Sequence, residues 1–231
     1  MSHPIISRSC EEVIRASELL GGLDDCHQSA LAAISLTMEF PQDHRVMSQD
    51  QECPGIYLVD SGLVRVFRVG PRGQQHVLHL CGPGQSFAEV AAFGHFPLPA
   101  NATAVQRTRC VLIPIDALHR ELASNHELCR QMLTSMSLWV RHFVQMLDDI
   151  VLRDAMERVA RLLCDVPCDR MGRLKLPGPK KDIANHLNLT SETFSRVLRR
   201  LNEQGVLDVD SERSIRVIDA EQLAQISAPA S

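Results

Sequence analysis

Near one end of this 231-residue chain, Glu192, Ser195, Arg196 and Arg199 fall at i, i+3, i+4 and i+7, so on a helix they share one face. Their chemistry suits the base edges of a DNA major groove. An arginine bridges guanine O6 and N7 with two hydrogen bonds, and a carboxylate accepts from the cytosine N4 amine. Lys180, Lys181, Arg199 and Arg200 supply cations for phosphate oxygens, contacts that fix register without reading sequence. Interleaved with them, Ile183, Leu187, Leu189, Phe194, Val197, Leu198 and Leu201 are apolar at positions that pack two short helices across a tight turn. Thr190 or Ser191 can cap the second helix. This pattern predicts a helix-turn-helix whose second helix enters the groove N-terminal end first. Singly, each residue has a plainer role: Glu192 favours a helix dipole, and Arg196 can pair with it on a solvated face. The combination points to DNA.

The elements that must hold this face are legible on both sides of it. Downstream, Val206-Leu207-Asp208-Val209 and Ser214 to Ile218 flank Asp210-Ser211-Glu212-Arg213, which predicts a hairpin wing. Upstream, Pro167 and the stretch from Gly172 to Pro179 mark a boundary. Before it, helix is predicted from Asp116 to about Val166. Met132, Met136, Trp139, Phe143, Met146 and Ile150 follow a heptad seam there, and Leu133, Val140, Val144, Leu147 and Val151 form a second stripe one residue on. Two adjacent seams call for two partners, the chain's own β-domain and a second copy of the chain, although a wide-faced helix in a single core has the same periodicity. From Glu39 to about Ile115, short apolar runs alternate with turns at Asp60-Ser61-Gly62, Gly70-Pro71-Arg72-Gly73 and Gly82-Pro83-Gly84. That spacing predicts an antiparallel roll or barrel ending on the strand Val111 to Ile115. Residues 11–36 read as helical, with a break at Gly21-Gly22.

Composition narrows the class. With 45% apolar and 23% charged residues the chain has material for real cores and is no disordered tail. It has no apolar run near the about 18 residues that cross a bilayer, and no basic-then-apolar leader, so a cytoplasmic protein without membrane contact is expected. Eight cysteines without a C-x-x-C pair fit a reducing compartment. One Trp and one Tyr argue against a stacking surface for single strands. The net charge of −4 hides an asymmetry: residues 173–216 hold nine Lys/Arg against six Asp/Glu, whereas 1–172 hold 15 against 20. Only the helix-turn-helix segment is suited to a polyanion.

In this order of elements the chain resembles the Crp/Fnr family of bacterial transcription regulators over nearly its whole length. Tyr57-Leu58-Val59-Asp60-Ser61-Gly62 is similar to the family's roll signature, and Thr190-Ser191-Glu192-Thr193-Phe194-Ser195-Arg196 to its Fnr-type recognition helix. The resemblance implies an α+β fold: an N-terminal cyclic-nucleotide-binding-like β-roll sensor domain over 1–125, a dimerisation helix over 126–153, and a C-terminal winged helix-turn-helix over 154–231. It further implies a homodimer on a TTGAT-like DNA palindrome, with Glu192, Ser195 and Arg196 reading bases. Ser191, Thr190, Arg199, Lys180 and Lys181 complete the expected DNA contacts. RNA polymerase is a further partner if the protein is an activator.

The effector is narrowed by what the roll lacks. The family's nucleotide pocket carries Gly-Glu-Leu-Gly and then Arg-Ser-Ala. Here Glu89 keeps the glutamate slot, but Pro99-Ala100 or Ala100-Asn101 stands at the Arg-Ser slot. A buried phosphodiester without its cation is costly, so cyclic AMP or GMP is not expected, with Arg107 and Arg109 as the nearest substitutes. An iron–sulfur cluster is not expected either: Cys10 and Cys26 are sixteen apart, there is no C-x₃-C-x₂-C, and Cys164 and Cys168 come just before the DNA domain. The Cys-x-His of the carbon-monoxide-sensing haem members is absent from Phe87-Ala88-Glu89-Val90. Phe87-Ala88-Glu89 and the arginine-free segment after it resemble the nitric-oxide-responsive regulators, which implies haem. His76 and His79 point to opposite faces of a strand, and His79 shares its face with Cys81. Glu89, His79, Phe87 and Pro99 are the expected effector-pocket residues. Thiol redox gating or another small molecule are the alternatives. Enzyme signatures are missing: there is no nucleophile elbow, H-E-x-x-H, P-loop or Gly-x-Gly-x-x-Gly after a strand, and the Pro83 of Gly82-Pro83-Gly84 has no N–H for a phosphate. A scaffold without DNA affinity is the remaining class.

Overall fold

The computed structural model describes residues 8–228 except 72, 95, 170 and 210–213. Two compact units form, Met1–Arg68 with His79–Trp139, and Val69–Leu78 with Val140–Ser231.

The first unit opens with α1 (Cys10–Arg15), started by a reciprocal Ser9/Glu12 capping box, and α2 (Asp25–Ile34). Helix was expected to run to residue 36. It stops at Ile34 because the Ser35 hydroxyl takes the Leu31 carbonyl at 2.6 Å and the Ser35 backbone turns extended. Leu36 thus already belongs to a strand. The roll follows: β1 (Leu36–Phe40), β2 (Arg45–Met47), β3 (Gly55–Ser61), β4 (Val64–Val69), β5 (Gln75–Cys81), β6 (Ser86–Phe87), α3 (Glu89–Gly94), β7 (Asn101–Ala104) and β8 (Thr108–Pro114). Its strands make two four-stranded sheets of order β1-β8-β3-β6 and β2-β7-β4-β5. In β3 every residue from Gly55 to Asp60 is buried, which explains why its sequence reads as a near-continuous apolar run and not as an alternation. The turn out of β3 needs Gly62: its φ is +98°, and a Cβ there would lie 2.6 Å from the Cα of Thr108.

The helical stretch expected from Asp116 to about Val166 is three helices, α4 (Ile115–Ser124), α5 (His126–Leu152) and α6 (Ala155–Asp165). Each break has a local cause. Asn125 leaves the helical region and its side chain accepts from the Leu128 N–H at 3.0 Å, restarting the helix as a cap does. Asp154 does the same for α6 within an Asp154/Glu157 capping box. The boundary between the two units falls inside α5, between Trp139 and Val140.

One member of the expected dimer seam on α5 is corrected. Met132 is 3% exposed, covered by its own chain, and so is lost to a partner. Met136 remains open, and the side chains of Trp139, Phe143, Met146 and Ile150 lie outside the described residues. Most of the other apolar positions described as open along α5 belong to the second stripe, with Leu138 in neither. Leu133, Val140, Val144 and Leu147 are between 51% and 65% exposed.

In the second unit, α6 is followed by β9 (Arg173–Lys175), α7 (Lys180–His186), α8 (Ser191–Glu203), β10 (Leu207–Val209), β11 (Ser214–Val217) and α9 (Ala220–Ser227). The expected hairpin is β10–β11, with Leu207 opposite Val217. β9 adds a third strand to it, giving the order β10-β11-β9. Among the described residues no helix is long and apolar enough to cross a membrane.

Candidate functional site

The turn between α7 and α8 is built by residues that each satisfy a helix end. Leu187 closes α7, Asn188 takes a left-handed φ of 54°, and the Leu189 N–H donates back to the Ala184 carbonyl at 2.8 Å. Thr190 is the cap of α8, accepting from the Thr193 N–H at 3.1 Å, so Ser191 is the first helical residue. Phe194, Val197, Leu198 and Leu201 are buried on one side of α8. Ser191, Glu192, Ser195, Arg196, Arg199 and Arg200 are exposed on the other. Thr190→Ala is expected to lower the stability of this unit by about 1 kcal/mol, read as a shift in its urea unfolding midpoint.

The charges on that face are mostly uncommitted. Among the described residues, Glu192 and Arg196 are held by no ion pair, so the Glu192–Arg196 pairing considered above does not form. The Arg199 Nε lies 3.7 Å from Glu203 Oε1, an exposed pair that water screens. Lys181 is exposed and Lys180 half-buried. The strand that the sequence did not announce adds two cations: Arg173 and Lys175 of β9 are exposed on either side of the buried Leu174. Arg173 stands opposite Arg216 of β11, which approaches Asp208 at 3.9 Å.

The roll interior is different in kind. Phe87 stacks on Tyr57 with ring centroids 4.8 Å apart, and both are buried. Glu89 is buried as well. Ala88 before it takes a left-handed φ of 74°, turning the chain from β6 into α3 and aiming Glu89 at Ser86, whose hydroxyl donates to its carboxyl. Desolvation raises the Glu89 carboxyl above its ordinary 4.5 despite that bond. A raised value means that the fold favours the neutral acid. The resulting stability is complete below pH 4.5 and is lost as pH climbs through the folded value. Glu89→Gln, which cannot ionise, is therefore expected to melt above the native chain at pH 8 and to converge with it toward pH 4.5. A lower melting temperature at pH 8 would mean that an ionised Glu89 is what the roll needs.

Of the other expected pocket residues, His79 is half-buried on β5 and Pro99 is exposed. Burial holds the thiols nearby protonated: Cys81 is pushed well up, and Cys110 to about 12. Cys26, Cys164 and Cys168 are exposed. Among the described residues no three His, Cys, Asp or Glu side chains are grouped to hold a metal ion.

Both candidate replacements for the missing pocket arginine are committed elsewhere. Arg107 donates to Glu39 at 2.8 Å. Arg109 is buried in an ion pair with Asp60, and it also donates to the Arg8 carbonyl at 2.8 Å. Arg8 completes this group, reaching Asp60 Oδ1 and the Asp60 carbonyl at 2.6 Å each. The arrangement leaves no local trace in the chain: the pairing of β3 with β8 sets Asp60 near Arg109, and Arg8 comes in from ahead of α1.

Known proteins carry the same two parts. Residues 37–125 match the cyclic nucleotide-binding domain, and residues 157–226 the Crp-like helix-turn-helix domain. The cyclic AMP receptor protein of Thermus thermophilus is 31% identical over 173 residues, covering 73% of this chain and 77% of the relative. The nitrogen fixation regulation protein FixK of Rhizobium meliloti is 30% identical over 173 residues, covering 74% and 77%. The solved structure of FixK2 from Bradyrhizobium japonicum superposes with a TM-score of 0.77 at 24% identity, covering 86% of this chain and all of that one.

Proposed function

This chain belongs to the Crp/Fnr family of DNA-binding transcription regulators, and from that premise we propose that it acts as a homodimer on a TTGAT-like palindrome, gated by an effector in the roll. Its relatives are regulators and not enzymes. The observation that carries the proposal is the capped α8, which holds Glu192, Ser195 and Arg196 in solvent with neither charge committed. Glu192 and Arg196 take base edges, with Ser195 between them. Lys180, Lys181, Arg199 and Arg200 take phosphates, and Thr190 and Ser191 bring the start of α8 to the groove. The α5 stripe of Leu133, Met136, Val140, Val144 and Leu147 pairs two chains, because an exposed apolar row of that length is covered most economically by its own copy. A two-fold pair then sets two recognition helices one DNA turn apart.

The pocket chemistry favours an uncharged effector. Arg107 is paired with Glu39 and the buried Arg109 with Asp60, so a phosphodiester would be buried without a cation. This argues against a cyclic nucleotide as the effector. Haem, which the likeness of the roll to the nitric-oxide-responsive regulators implies, is the proposed cofactor, and it would supply the iron that takes nitric oxide. His79, half-buried on β5, and the buried Cys81 two residues on are the side chains that would hold the haem. Burial, which pushes the Cys81 and Cys110 thiols up, argues against redox gating at those two. Whatever binds must favour one orientation of the two DNA-binding units over another, since equal affinity for both shifts nothing.

Fluorescence anisotropy tests the proposal. The full chain is expected to bind a duplex with two TTGAT-like half-sites at least roughly 10³-fold more tightly than a scrambled duplex, and to sediment as a dimer. Equal affinity for both duplexes would overturn it.

A further inference from the structure

The joint between α5 and α6 is tied to two other helices by arginines. The chain leaves the helical conformation at Arg153 and Asp154. Asp154 then caps α6, accepting from the N–H groups of Met156 at 2.7 Å and Glu157 at 2.9 Å. On one side of this cap, Arg153 Nη1 donates to the carbonyl of Ser227, the last residue of α9. On the other, Arg158 Nη1 donates to the carbonyl of Leu187 at 2.8 Å, while its Nε reaches the Asp154 carbonyl at 3.3 Å. Leu187 is the residue that closes α7, and its carbonyl is one of the groups a helix end leaves without an intrahelical partner. A guanidinium there meets both the orphan oxygen and the negative end of the helix dipole.

Resting on the DNA-binding reading, we infer that Arg158 is a positioning residue for the recognition helix. It holds the first carbonyl of the turn against the first turn of α6, and the next three residues, Asn188 to Thr190, lead directly into α8. The angle at which α8 leaves α7 is thereby fixed relative to the joint where α5 ends. Arg158 is half-buried and two of its nitrogens, Nε and Nη1, donate to carbonyls, so the role assigned to it is exercised through the turn and not on DNA. Base contacts demand placement within about half an ångström, whereas phosphate contacts by flexible lysines tolerate far more. Loosening the turn should thus cost specificity before it costs affinity.

Arg158→Met keeps the apolar stem and removes both donating nitrogens, and Arg158→Lys restores a single one. In anisotropy titrations with the full chain, the Met variant is expected to bind the palindromic duplex about tenfold more weakly while keeping native affinity for a scrambled duplex and an unchanged salt slope. The Lys variant is expected to recover most of the loss, a rescue that a purely structural defect would not show. Three results would overturn the inference: native discrimination by the Met variant, an equal loss on both duplexes with a salt slope lower by about one, or a Lys variant as impaired as Met. If the native chain itself fails to discriminate, the function reading falls and takes this inference with it; native discrimination with an unaffected Met variant removes the inference alone.

Discussion

Arg196→Ala is expected to cut affinity for the two-half-site duplex by roughly a hundredfold or more, the largest single effect on function. A bidentate arginine–guanine contact discriminates by about 1–3 kcal/mol, and a dimer loses two of them. Arg196 is exposed and, among the described residues, unpaired, so its removal leaves α8 capped and its buried face intact. The loss should therefore fall on the specific duplex alone, bringing it toward the affinity for scrambled DNA. The salt dependence should stay close to native, because the missing cation faced a base and not a phosphate. Unchanged affinity would show that the Glu192–Ser195–Arg196 face does not read sequence.

Arg109→Met is expected to be the most damaging change to stability, costing about 3 kcal/mol. It strands the buried Asp60 carboxylate with a single, more exposed partner, Arg8. Asp60 sits at the end of β3 and Arg109 near the start of β8, so the defect lies at the centre of the β1-β8-β3-β6 sheet. Combining it with Asp60→Asn removes the stranded charge and is expected to return a good part of the loss. Urea unfolding followed by circular dichroism distinguishes the cases. A single variant within about 0.5 kcal/mol of native, or a double variant worse than the sum of the singles, contradicts this role for the pair.

What the sequence disclosed and what it withheld divide along a physical line. The helix-turn-helix was legible because its signals are local: a 3.6-residue apolar period from Phe194 to Leu201, a Thr cap and a charged opposite face, all within 22 residues of Lys180. The roll was legible as turns at regular intervals. Helix breaks at Asn125 and Asp154 were written in capping residues but overridden by a continuous apolar pattern. The three-residue β9 carries too little pattern to announce itself, and with it Arg173 and Lys175 were missed as members of the wing sheet. Met132 shows another limit: heptad spacing says that a residue faces something apolar, not whether that surface belongs to its own chain. The Arg8–Asp60–Arg109 group and the Arg158–Leu187 bond are tertiary. The first joins residues 49 and 52 apart, and the second ends on a backbone carbonyl, an acceptor that every residue carries.

The most direct test of a two-fold reader of DNA is to let the full chain select from a pool of random duplexes and to sequence what it retains. The expected outcome is one enriched word, two TTGAT-like half-sites in mirrored orientation about one helical turn apart, lost from the Arg196→Ala pool. Retention of an unpaired half-site, or of duplexes without any shared word, would contradict it.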